Sequence, residues 1–165
     1  MAKKAAMDRI SKAREERYTG ALPKGFAYPC FLTEEELADI RAAQEAAKET
    51  TGIYGKYAEK SRSLTYEEIE ANIASGKPYV VRLKSSGNHE LPSEEIRHIE
   101  VEDAIRGTLS MPENDQDIIL LKANGIPTYH FAHVIDDHLM RTTHVVRGEE
   151  WLMSLPIHVE LFEKL

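Results

Sequence analysis

The chain has 165 residues, 42% of them hydrophobic and 30% charged, with a formal net charge of -7. This is the size of one domain, or of two small units sharing a core, with the composition of a soluble globular protein. No stretch approaches the roughly 20 apolar residues that span a bilayer, and MAKKAAMDRISKAREERYTG at the start has no apolar run of the signal-peptide kind.

Residues 1–24 carry seven Lys or Arg against three acids, leaving the other 141 residues at -11. An acidic body argues against non-specific nucleic-acid binding by bulk charge. The basic head reads as a helical or frayed terminal segment. Cys30 is the single cysteine, so an intrachain disulfide is excluded, and so is zinc held by paired cysteines. A reducing, cytoplasmic setting is the simpler expectation. Within YPCFLT, Cys30 is expected to be a buried structural thiol.

Two helix starts follow. In FLTEEELADIRAAQEAAK, Thr33 caps while Glu36 reaches back three residues later, and Leu37, Ile40 and Ala47 continue one apolar stripe. LTYEEIEANIASG repeats the device with Thr65 and Glu68, and Gly76 supplies a left-handed stop. The spacing predicts helices over about 33–48 and 65–75. KPYVVRLK (77–84) reads as a strand and SSGNHELPSE as a loop. IEVEDAIRGTLSM (99–111) reads as extended segments around Arg106-Gly107. DIILLKANGIPTY is a hairpin signal turned at Asn124-Gly125.

From Thr128 to Met140 the period becomes helical, with Phe131, Val134, Ile135 and Leu139 on one face and Tyr129, His133, Asp136 and Met140 on another. THVVRG then reads as a short strand ending at Arg147. SLPIHVELFEKL reads as a helix with Ser154 as cap and Leu155, Val159 and Phe162 inward. Helix, strand, helix is half of a parallel α/β layer. Leu165 falls inside the last pattern without a stop signal, which reads as a chain cut within an element.

The stretch PTYHFAHVIDDHLMRTTHVVRGEEW is dense in polar chemistry. His130, His133 and Asp137 fall at i, i+3 and i+7, the spacing of a metal-binding face, but no sharper ligand motif accompanies them. An arginine at the carboxyl end of a parallel strand sits where open α/β sheets bind ligands, and its planar fork suits a carboxylate or phosphate. Tyr129 and His133, one helical turn apart, are able to converge on the same ligand. The structural alternative pairs Arg147 with Asp136, Asp137 or Glu149, and the chemistry alone leaves both open.

GIPTYHFAHVIDDHLMRTTHVVRGEEWLMSLPIHVELFEKL closely resembles glutamyl-tRNA synthetases, the bacterial type of class I aminoacyl-tRNA synthetase. YPCFLTEEEL and KPYVVRLK resemble the insertion between the two halves of that family's catalytic domain. The resemblance covers about residues 25–165. It implies an α+β / α/β chain: a connective insertion domain of helices and antiparallel strands over 25–125, then part of a Rossmann-like catalytic domain over 126–165. It also implies a ligase that activates glutamate with ATP and Mg2+ and passes it to tRNA(Glu), whose acceptor end meets the insertion. By the same resemblance Tyr129, His133 and Arg147 line the glutamate pocket, and Glu150 and Trp151 meet ATP. Many relatives have Asn where this chain has His133. No metal ligand is implied, since the zinc-binding members use clustered cysteines.

The family's His-x-Gly-His and Lys-x-Ser-Lys motifs, which stabilise phosphates during adenylate formation, do not occur in these residues. The segment is therefore expected to be inactive alone, with neither ATP nor metal bound to it and its catalytic residues unassigned. The alternative is a non-catalytic module that binds a tRNA acceptor end or a protein.

Overall fold

Residues 25–165 are described by the structure, a computed structural model; the basic segment 1–24, expected to be helical or frayed, lies outside the described residues. In chain order the elements are β1 (Ala27–Cys30), α1 (Glu34–Ala47), α2 (Gly55–Arg62), α3 (Tyr66–Ala74), β2 (Val80–Leu83), β3 (His98–Asp103), β4 (Gly107–Pro112), β5 (Ile119–Leu121), α4 (Tyr129–Met140), a 3-10 helix (Glu149–Ser154) and α5 (Leu155–Lys164). Two sheets form, both antiparallel: β1-β2-β5, and the hairpin β3-β4. The fold is thus mixed α+β, as the resemblance implies.

Both predicted capping boxes are present. Thr33 Oγ1 accepts from Glu36 N at 3.2 Å while Glu36 accepts from Thr33 N at 2.9 Å, and Thr65 and Glu68 repeat the exchange. The predicted stop at Gly76 has φ of 73°, a conformation without penalty for glycine alone. Helix α1 departs from its predicted stripe, because Ala47 is exposed and Gln44 is the residue it buries. Burial of that amide costs little here: Nε2 donates to Gly52 O at 2.7 Å and Oε1 accepts from Gly52 N at 3.0 Å.

Helix α2 has no counterpart in the sequence reading. Its Ala58 is fully buried, and the Ser61 hydroxyl lies 3.5 Å from the Cys30 thiol, which is itself buried as expected.

The predicted hairpin at Asn124-Gly125 is a turn with almost no return strand. Gly125 N donates to Lys122 O at 2.8 Å, and Leu121 meets Pro127 in a single bridge. Pro127 has no N–H for a longer ladder. Thr128 instead donates its hydroxyl to Ile119 O at 2.6 Å and its N–H to Leu120 O at 2.9 Å. Helix α4 is thereby fixed directly to the edge of β5.

One core joins the three-stranded sheet to the last two helices: Ala27, Leu83, Leu120 and Leu121 pack with Phe131, Val134, Ile135 and Leu161. The stripe on α4 is as predicted. That on α5 is rotated: Ile157, His158 and Leu161 turn inward, while Phe162 is exposed. Residues 142–148 correct a larger expectation, since they form neither strand nor helix, and Val146 is 94% exposed. A strand needs a neighbour for its N–H and C=O groups, and no described strand pairs with this one. The parallel layer inferred for 126–165 is therefore absent among the described residues, and Arg147 ends an extended connection rather than a strand.

Beneath α2 lies a buried charged node. Asp117, 1% exposed, accepts from Tyr28 Oη (2.6 Å), Arg62 Nε (2.7 Å) and Ser85 N (2.9 Å), with Arg62 Nη2 on its other oxygen. Burial, then the Asp117 charge, holds the Tyr28 phenol far above its ordinary range. The hydrogen bond to Asp117 raises the Arg62 guanidinium further. Every partner of this carboxylate comes from a different part of the chain.

Candidate functional site

Helix α4 brings Tyr129 and His133 onto one face, one turn apart, with rings nearly parallel (6°) and centroids 5.9 Å apart. The connection 142–148 returns along the helix and ends with Arg147 against that face. Arg147 Nη1 donates to Tyr129 Oη, and Nη2 lies 3.0 Å from His133 Nε2. The 3-10 helix then lays Trp151 beside both, its ring 5.1 Å from Tyr129 and 5.0 Å from the guanidinium carbon. Tyr129, His133, Arg147 and Trp151, four of the five expected site residues, are one cluster. The fifth, Glu150, is exposed on the same 3-10 helix, its carboxylate folded over Gly148.

What Arg147 lacks is a carboxylate. Two of the three partners proposed by the structural alternative, Glu149 and Asp137, have other neighbours. Glu149 pairs with Arg106 at 3.2 Å, and Asp137 Oδ2 lies 3.0 Å from His133 Nδ1, too oblique for a hydrogen bond. The guanidinium is held by a phenol and an imidazole, both neutral in their ordinary states, and its Nε is buried without a partner. Desolvating a cation without a counter-charge is costly. The arrangement is stable enough to exist, and it is electrostatically incomplete.

Two further histidines lie behind it. His130 Nδ1 is 2.9 Å from His158 Nε2, and the His158 ring meets His133 edge-on at 4.9 Å. Burial, and then the neighbouring histidines and Arg147, depress the His158 pKa to about 4. Burial depresses His133 and His130 too; Asp137 opposes this at His133, whereas Arg147 adds to it at both. All three are therefore neutral near pH 7, and Arg147 is the cation of the site. His130, His133 and Asp137 do not converge as the metal spacing suggested, because His130 faces His158. No group of three His, Cys, Asp or Glu suited to a metal ion occurs among the described residues.

His158 and Gly148 were not found from the sequence. His158 reaches the site from α5, and nothing in a local pattern signals that. Gly148 has a signal only in three dimensions: a Cβ there would fall 2.3 Å from a Glu150 carboxylate oxygen.

The family described as tRNA synthetases class I (E and Q), catalytic domain, matches residues 8–165, and the chain belongs to it. The relatives are more particular. The chain is 60% identical over 141 residues to the glutamate–tRNA ligase of Acetivibrio thermocellus, covering 86% of this chain and 24% of that protein. It is 57% identical over 144 residues to that of Clostridium beijerinckii, covering 87% and 25%. A solved glutamate tRNA ligase from Elizabethkingia meningosepticum, in complex with its amino acid, matches with a TM-score of 0.78 and 38% identity, covering 98% of this chain and 30% of that one. The chain thus spans about a quarter of the length of the curated relatives it matches. No helix among the described residues is long and apolar enough to cross a membrane.

Proposed function

We propose that this chain is part of a glutamate–tRNA ligase, with Tyr129, His133 and Arg147 holding the substrate glutamate and Glu150 and Trp151 meeting ATP. The observation that carries the reading is the Arg147 guanidinium, fixed by neutral partners and without a carboxylate of its own. A carboxylate of glutamate completes it through a charge-assisted, two-point contact. Tyr129 aims the fork through its hydroxyl, and the Tyr129 and Trp151 rings lie side by side next to the guanidinium. The neutral histidines add no positive charge, so Arg147 is the group that attracts a carboxylate. The solved relative in complex with its amino acid supports an amino-acid site in this fold.

In the whole ligase, glutamate attacks the α-phosphate of ATP, with Mg2+ carried on the nucleotide. Pyrophosphate leaves, and the glutamyl group then passes from the adenylate to the terminal ribose of tRNA(Glu), releasing AMP. Residues 25–125 are the insertion that meets the tRNA acceptor end, residues 126–165 belong to the catalytic domain, and the setting is cytoplasmic. The phosphate-stabilising motifs are not in these residues, so the 165-residue chain alone is expected to form no glutamyl-adenylate. Loss of even one such donor costs about 100- to 1,000-fold.

Amino-acid-dependent exchange of pyrophosphate into ATP tests the reading. A ligase of the relatives' length carrying this segment is expected to exchange with glutamate and not with leucine or lysine. Absence of glutamate exchange in that protein overturns the assignment, and exchange by the 165-residue chain itself overturns the expectation of inactivity.

A further inference from the structure

The hairpin β3-β4 projects its turn toward the site. Asp103 Oδ1 accepts the N–H groups of both Ile105 and Arg106 at 2.8 Å, and Gly107 takes the left-handed conformation that closes the turn. Arg106 therefore leaves the hairpin from a fixed point. Its Nη2 lies 3.2 Å from Glu149 Oε1, on the first residue of the 3-10 helix that carries Glu150 and Trp151. The connection 142–148, just before that helix, has no ladder, and only Thr142 N, bonded to Asp137 O at 3.0 Å, is tied to the end of α4. Near its end, backbone support is a single turn bond, Trp151 N to Gly148 O at 3.1 Å. Side chains must do the rest, and Arg106 is the one that arrives from the hairpin.

We propose that Arg106 is a positioning residue: through Glu149 it holds the start of the 3-10 helix, and with it Trp151 and Arg147, against α4. The hairpin and the site are then one mechanical unit, so a load on the hairpin changes the geometry of the arginine fork. What that fork binds rests on the reading above; the coupling does not.

Trp151 is the only tryptophan in the sequence, so its fluorescence reports on this segment alone. In the 165-residue chain, Arg106→Glu and Glu149→Arg are each expected to raise quenching by neutral acrylamide. The rise is about two- to five-fold, the population shift one exposed pair supports. The double swap Arg106→Glu/Glu149→Arg should return it toward the original value, and Ile105→Lys at the same turn should leave it unchanged. Single variants that quench like the parent overturn the proposal, as do single variants whose change the double swap does not reverse. A second arm measures glutamate KM in the ligase of full relative length. A fluorescence change that the swap reverses, with KM unmoved, supports the positioning role and counts against the glutamate reading instead.

Discussion

Arg62 and Arg147 are both partly buried, and the protein surrounds them in opposite ways. Arg62 meets a fully buried carboxylate on two nitrogens, and the remaining capacity of Asp117 is filled by a phenol and a backbone N–H. Arg147 meets a phenol and an imidazole, keeps one nitrogen unpaired, and has two adjacent aromatic rings beside it. The same side chain serves two purposes. Where a carboxylate is supplied inside the chain the arginine fastens distant segments together; where it is not, the proposed glutamate would supply it.

That contrast is broken most severely at Asp117. Asp117→Ala leaves the Tyr28 hydroxyl and the Ser85 N–H unsatisfied in the interior and strips the partly buried Arg62 of its counter-charge; removing one partner of a buried pair costs about 3–5 kcal/mol, an upper figure here. Urea unfolding followed by circular dichroism is expected to register a loss of up to this size. A loss under about 1 kcal/mol would mean that the node does not fasten the fold.

Acid sharpens the contrast from the other side. His158 has a folded-state pKa of about 4, and His130 and His133 are also depressed. The unfolded chain binds protons near pH 6.5, where the folded chain does not. Stability is therefore complete above about pH 6.5 and falls as pH drops toward 4, by at most about 3 kcal/mol from His158. Melting temperatures across this window should show the decline, and His158→Gln should flatten much of it. A slope that His158→Gln leaves intact would assign the decline to other groups.

The smallest expected effect is at Gly148→Ala. The added methyl takes the space of the Glu150 carboxylate, which is exposed and free to swing away. Stability should change by less than about 0.5 kcal/mol. In the whole ligase the KM for ATP should rise by less than about tenfold, the scale of one exposed polar contact. An unchanged KM would remove Glu150 from the nucleotide's surroundings.

The sequence was informative where the physics is local. Capping at Thr33 and Thr65 depends on residues three apart, the stop at Gly76 on one φ angle, and the stripe of α4 on a single period. The Asp117 node was not legible, because it joins residues as far apart as Tyr28 and Asp117 and each looks ordinary in its own neighbourhood. Helix α2 was missed for a similar reason: GKYAEKSR is only eight residues long, has no capping side chain and few apolar residues, and the burial of Ala58 and Ser61 against β1 holds it. The strand expected at 143–147 failed in the opposite sense. Val145 and Val146 give a local strand signal, but a strand is a property of pairs, and both side chains stay exposed. The site residues named by resemblance converge, apart from the outlying carboxylate of Glu150, whereas His158 and Gly148 join the site only through the tertiary fold.

The distinction between the two arginines is tested most directly by glutamate kcat/KM for Arg147→Ala in a ligase of full relative length carrying this segment. A hydrogen bond to a charged group contributes about 1.5–3 kcal/mol, so kcat/KM is expected to fall roughly 10- to 150-fold, with Arg147→Lys recovering only part. The melting temperature should hardly move, because Arg147 joins no buried carboxylate and ends an irregular connection. Near-normal kcat/KM in a clearly destabilised protein would contradict the account and make Arg147 a second Arg62.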